Sequence, residues 1–170
     1  IRKSEPIVSY GETIDSTTGD DGVHPKVCVS KSPNKHNRLF VIAQPLNEKT
    51  VKGIEDGDIK LTSDMKKFGR LLADDYDWDV GEARKIWTFG CPPDCMANAV
   101  VDGSKGVQFL SEIKDHVVGA FMQVTGGGIL ADEMMRGVRY DIQDVKLHAD
   151  AIHRGAGQIM PCAKKVFYAC

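Results

Sequence analysis

The chain has 170 residues, room for one compact domain with a real hydrophobic core and too little for two of ordinary size. Its 42% hydrophobic and 27% charged content is that of an ordinary globular protein, and no apolar run is long enough to span a membrane as a helix. Twenty-two basic against 24 acidic side chains leave a formal net charge of −2, which excludes a protein that binds nucleic acid with its whole surface but not one with a local basic tip. The first residue is isoleucine and no signal-peptide pattern opens the chain, so the sequence reads as an excised piece of a longer one. Five cysteines, odd in number and unevenly spaced, point to reduced thiols, because a chain of this length needs no disulfide staples. Cys91 and Cys95 have the spacing of half a zinc site, but no second pair follows, so that stretch reads as a turn holding two thiols.

In chain order, Ile7-Val8-Ser9-Tyr10 has the character of a short strand, and the Thr-, Gly- and Asp-rich residues 15–22 that of a flexible turn or insertion. Two β-rich arms follow, Val27-Cys28-Val29 and Leu39-Phe40-Val41-Ile42-Ala43, joined by a polar loop with cations, so an antiparallel hairpin with a basic tip is expected. Met65, Phe68, Leu71, Leu72 and Tyr76 fall at helical spacing as one buried stripe. Asp79 and Glu82 have capping-box spacing, and predict a helix through Val80, Ala83 and Trp87. Val107, Leu110, Lys114, Val117, Phe121 and Val124 trace a longer helix, which Gly126-Gly127-Gly128 is expected to end in a left-handed conformation. From Gly137 the period becomes two through Val138, Tyr140 and Ile142, with an irregularity expected at Gln143-Asp144 before Val145 and Leu147. A loop over 148–158 leads to Pro161, placed in the first turn of a last helix carrying Ala163, Val166 and Phe167. The whole reads as an α+β domain, a mixed or antiparallel sheet with helices packed on one face.

No phosphate-binding Gly-x-x-x-x-Gly-Lys-Ser/Thr loop occurs, and Asn34-Lys35-His36-Asn37 lacks the carboxylate a guanine reader needs, so these residues do not bind GTP in that way. Neither a Gly-x-Ser-x-Gly elbow nor a His-Glu-x-x-His pair is present. His148 and His153, with Asp150 between them, have no third ligand nearby in sequence and are a weak metal signal. Two loops remain. One carries Lys31, Lys35, His36 and Arg38; the other runs from His148 through Asp150, Ile152, His153 and Arg154 to Gly155, Gly157 and Gln158. Cations and amides on tight turns suit phosphates and exposed bases, although taken alone such loops are better read as solvated surface, and Gly155 and Gly157 as a turn needing unusual dihedrals.

The strings Lys31-Ser32-Pro33-Asn34-Lys35-His36-Asn37-Arg38 and Leu147-His148-Ala149-Asp150-Ala151-Ile152-His153-Arg154-Gly155 resemble two signature loops of the elongation factor 2 family of eukaryotes and archaea. Trp78-Asp79-Val80, Glu82-Ala83-Arg84-Lys85-Ile86-Trp87 and Met135-Arg136-Gly137-Val138-Arg139-Tyr140-Asp141 resemble that family's intervening segments, in the same order. The resemblance implies domain IV over 13–170, lacking its C-terminal return segment, with residues 1–12 closing domain III, and a fold like the second domain of ribosomal protein S5. It implies the arm of a cytoplasmic GTPase that drives translocation of tRNA and mRNA, reaching the decoding-side A site of the ribosome, with GTP and Mg held in an absent domain and no cofactor or catalytic residue here. His153 matches the histidine converted to diphthamide by dedicated synthesis enzymes and targeted by ADP-ribosylating toxins. By the same resemblance Asp150, Ile152 and Arg154 set loop shape and recognition by those enzymes, His36 and His148 support the tip, and Lys31, Lys35 and Arg38 contact RNA backbone. Ala156 stands where the family carries the middle of three glycines, which predicts crowding or a disfavoured positive φ. Residues 16–25 look like an insertion, and the 91–95 stretch replaces a Gly-rich turn. The competing resemblance is to the spliceosomal GTPase of a U-rich small nuclear ribonucleoprotein, which lacks the Ala-Asp-Ala-Ile context before the histidine.

Overall fold

The computed structural model of the chain describes residues 5, 8, 10–17, 26–62, 64–90 and 96–170. Five strands, β1 (Cys28–Lys31), β2 (Arg38–Pro45), β3 (Ile86–Gly90), β4 (Asn98–Asp102) and β5 (Val138–Lys146), form one sheet in the order β1-β2-β5-β4-β3. The β1–β2, β2–β5 and β3–β4 pairs are antiparallel, and β4–β5 is parallel, joined through a crossover helix. The helices are α1 (Glu48–Glu55), α2 (Met65–Tyr76), α3 (Val80–Ala83), α4 (Leu110–Gly126) and α5 (Ala156–Ala169). The fold class is α+β with a mixed sheet, as the residue pattern predicts.

The period-two pattern of β2 and β5 turns Leu39, Val41, Ala43, Val138, Tyr140, Ile142 and Val145 to one face. There α4 and α5 cover them with Ile113, Val117, Phe121, Ile159, Val166 and Phe167, and the Tyr140 and Phe167 rings meet at 4.8 Å. The irregularity near Gln143 is a β-bulge: Phe40 pairs with Asp144 and Val41 with Ile142, leaving Gln143 as the extra residue. Without it, Val145 would face away from the core that Ile142 faces.

A second cluster occupies the opposite face of β3 and β4. Ile86, Phe89, Ala99 and Val101 meet Val51 and Ile54 of α1, Phe68 and Leu72 of α2, and Trp78. The expectation of helices on one face thus describes α4 and α5, and α1 to α3 add a partial layer on the other. Polar side chains buried in this part are satisfied: Trp78 Nε1 donates to Thr50 Oγ1 at 3.0 Å. Asn98 Nδ2 donates to the Met135 carbonyl at 2.7 Å while its Oδ1 accepts from Val138 N at 3.0 Å, fixing where β5 begins beside β4.

Several expectations are corrected. Leu71 is 40% exposed and lies outside the α2 stripe, whose buried positions are Phe68, Gly69 and Leu72. The helix at Asp79 lasts one turn. Asp79 caps Gly81 N and Glu82 N, but Glu82 turns to Arg139 rather than closing a capping box, and Trp87 belongs to β3. Val107 precedes α4 rather than lying in it. That helix ends at Gly127 with φ −151°, extended rather than left-handed. The glycines there serve close approach instead, since a Cβ on Gly128 would collide with the Glu12 carboxylate. Pro161 lies inside α5, which begins at Ala156. Its missing N–H and its ring affect the carbonyl of Gly157, which is on the exposed side of the helix where water can serve it. The strand expected over 7–10 falls partly outside the described residues, and Val8 and Tyr10 are exposed. The turn at 15–22 and the insertion at 16–25 fall largely outside the described residues, and the 91–95 turn wholly so. Among the described residues, Cys28 and Cys162 are in no disulfide.

Candidate nucleic-acid interface

The β1–β2 hairpin and the segment after β5 end at the same edge of the sheet, because Lys31 pairs with Arg38 and Arg38 with Lys146. The two polar loops therefore meet, although more than a hundred residues separate them. Side-chain amides join them. Asn37, fully buried, donates through Nδ2 to the His153 carbonyl at 2.7 Å and to Ser32 Oγ at 3.2 Å, and its Oδ1 accepts from His148 N at 3.1 Å. Asn34 Nδ2 donates to the same His153 carbonyl at 3.0 Å, and Asn34 N donates to Gln158 Oε1 at 2.9 Å. Ser32 closes the hairpin, its N–H on the Asn37 carbonyl at 2.9 Å and its Oγ accepting from Asn37 N at 3.0 Å.

On this frame the rings of His36, His148 and His153 form one cluster, with centroids 4.5–4.9 Å apart. His148 Nδ1 accepts from Asp150 N at 3.1 Å, which assigns its proton to Nε2 in the neutral ring. The rings pack tilted or edge-on, and among the described residues no group of three His, Cys, Asp or Glu side chains is arranged to hold a metal. Asp150 caps the 3-10 turn Ala151–His153 by accepting from Ile152 N at 3.2 Å, and Ile152 stands 77% exposed beside the cluster. Lys35 lies at the hairpin apex with φ 63°, and Lys31, Lys35, His36 and Arg38 are all exposed.

Arg154 is different. It is 5% exposed, and Nη1 donates to the His148 and Ala149 carbonyls, both at 2.7 Å. Nη2 meets Glu112 Oε2 at 2.6 Å, and the guanidinium lies 4.1 Å from the Phe109 ring. There it braces the backbone of the second loop against α4. Gly155 and Gly157 do not supply unusual dihedrals. Gly155 is the extended N-cap of α5 at φ −64°, Gly157 lies in the first turn, and neither has an atom within 4 Å of where a Cβ would sit. Ala156, the first residue of α5, is exposed and has no positive φ, so its methyl crowds nothing. The sequence places Asn34, Asn37 and Gln158 in the two loops but gives no sign that they bridge them, and Glu112 escaped notice altogether, since nothing in a single sequence pairs segments so far apart.

Residues 58–170 match the family described as elongation factor G, domain IV. The chain belongs to that family. The match takes in the second loop and α5 and begins after the hairpin. Elongation factor G domain IV is the translocation arm of a translation elongation factor, the part that meets ribosome and tRNA, and its fold is that of the second domain of ribosomal protein S5. Such a domain is not itself the GTP-hydrolysing one. No helix among the described residues is long and apolar enough to cross a membrane.

Proposed function

We propose that the chain is the arm of an elongation factor 2 of the eukaryotic kind, acting in the cytoplasm at the decoding-side A site. The loops over 32–37 and 148–154 form the tip that contacts tRNA and mRNA. His153 is the residue converted to diphthamide and open to ADP-ribosylating toxins; residues 1–12 close the preceding domain and 13–170 make the arm. GTP and Mg belong to another domain of the same factor. The single observation supporting this reading is the convergence of two Asn amides on the His153 carbonyl, which fixes that backbone while the ring lies among two other imidazoles.

In this arrangement the tip needs no catalytic group. Rigid loops present a cationic extension at His153, with Lys31, Lys35 and Arg38 positioned for phosphates, so binding energy is spent on holding codon and anticodon while the RNA moves. Ala156 is compatible with modification, because it continues α5 without disturbing the loop. The test is single-turnover translocation by the parent factor carrying Lys35→Gln and Arg38→Gln. Slowed translocation with unchanged GTP turnover is expected; unchanged translocation refutes the phosphate role.

A further inference from the structure

Among the described residues, the sheet face opposite α4 and α5 carries no helix at the tip end. Lys31, Arg38 and Lys146 are direct cross-strand neighbours on β1, β2 and β5, all exposed and all on this face. With adjacent strands about 4.8 Å apart, the row spans roughly 10 Å. Like charges directly opposite one another are unfavourable in a sheet, and among the described residues none of the three has an ion-pair partner. Beneath them lie Val29, 50% exposed, and Phe40, whose ring holds Lys146 Nζ at 5.7 Å.

The row ends at a groove. β4 stops at Asp102, opposite Ile142, so among the described residues no strand flanks 143–146 of β5 on that side. A cavity of about 430 Å³ opens there, lined by Lys105, Gln108, Phe109, Asp144 and Lys146. Val145 N turns to the adjacent Asp144 Oδ1 at 2.8 Å. Phe109 is 40% exposed and held at φ 62°, a strained conformation for an aromatic residue. The groove thus combines an aromatic surface, a carboxylate acceptor and two lysines.

We propose that this face binds one unpaired strand of RNA, with its phosphates along Lys31, Arg38 and Lys146 and one base in the groove between β5 and the 105–109 loop. The row supplies charge complementarity, and the aromatic wall suits a base rather than an acidic side chain. Asp144 disfavours phosphate inside the groove and accepts from an exocyclic amino group, as carboxylates do from cytosine N4. This inference rests on the ribosome-facing reading but adds Lys146, Asp144 and Phe109, which lie outside the tip loops.

The test is fluorescence anisotropy of the 170-residue chain with labelled 12-nucleotide cytidine and uridine strands across a KCl titration. Each phosphate contact on a single strand contributes about 0.7 to the log–log salt slope, so Lys31→Gln/Arg38→Gln/Lys146→Gln should lower it by about 2 and Lys146→Gln alone by about 0.7. A charge-matched control, Lys49→Gln/Lys52→Gln/Lys66→Gln, should leave it unchanged. Cytidine should bind roughly two- to tenfold tighter than uridine, and Asp144→Ala should remove the difference. An unchanged slope in the row variant, an equal fall in the control, no base preference, or equal binding of a duplex or a poly-glutamate peptide would overturn the proposal. Lys146→Gln alone and Asp144→Ala leave the His153 cluster and both residues of the translocation test in place, so failure here and failure of that test are separately readable.

Discussion

Asn37→Ala is the sharpest perturbation of the tip. Its fully buried amide makes one hydrogen bond to the His153 carbonyl, one from His148 N and one to Ser32 Oγ. Each contributes about 1 kcal/mol net, and the variant leaves the His148 N–H without its partner, so a loss of about 3 kcal/mol is expected. Asn34 still reaches the His153 carbonyl at 3.0 Å, which keeps the cost from growing further. A domain of this size tolerates such a loss without unfolding. Amide hydrogen exchange read by NMR should show His148 N opening on the order of a hundredfold more often, while amides of α4 change only with global stability. Asn37→Asp, which keeps the acceptor for His148 N but sets a carboxylate against the His153 carbonyl, should cost at least as much. The reasoning is refuted if Asn37→Ala costs less than Asn34→Ala, or if exchange at His148 stays at the wild-type rate.

Arg154→Lys keeps the charge but loses the planar fork that meets two carbonyls, Glu112 and Phe109. It should cost about 2–3 kcal/mol, seen as a Tm lower by roughly 5–10 °C in calorimetry. Ala156→Gly should lower stability by up to about 1 kcal/mol in denaturant titration, since glycine weakens a helix and no positive φ awaits it; a gain would contradict the placement of α5. Burial works to raise the Glu12 carboxyl, but backbone N–H groups of Leu130, Ala131, Glu133 and Asp132 together hold it below its ordinary value of 4.5. The unfolded chain then binds more protons in that range, so the stabilisation is full above pH 4.5 and fades as pH falls. Glu12→Gln should therefore show a shallower loss of stability than the parent chain as pH falls below 4.5.

Much of the fold was legible where one period ran unbroken. The β1–β2 hairpin, the helical run of α4 and even the bulge at Gln143 follow from spacing in the sequence. β4 escaped because Asn98–Asp102 is buried on both faces and its Ala-Val-Val run does not alternate. β3 escaped because a register shift at Trp87 breaks the period, which let Trp87 be assigned to the preceding helix. α1 is short, and its buried Thr50 looks polar in sequence while it serves Trp78. Pro161 misplaced the start of α5, because two glycines around Ala156 read as loop although they lie at a helix N-terminus. At the tip, the residue types were visible, but the division of labour among them was not. Burial separates Arg154, which shapes the loop, from Lys35 and Arg38, which face outward, and only the register of β1, β2 and β5 brings the Asn amides under His153.

The most direct test of the central claim is peptide mass spectrometry across His153 on protein purified from its native source. The account predicts a mass increase on that histidine matching diphthamide, with Ala156 present in the same peptide. An unmodified His153 in protein from cells whose other elongation factor 2 carries the modification would contradict it.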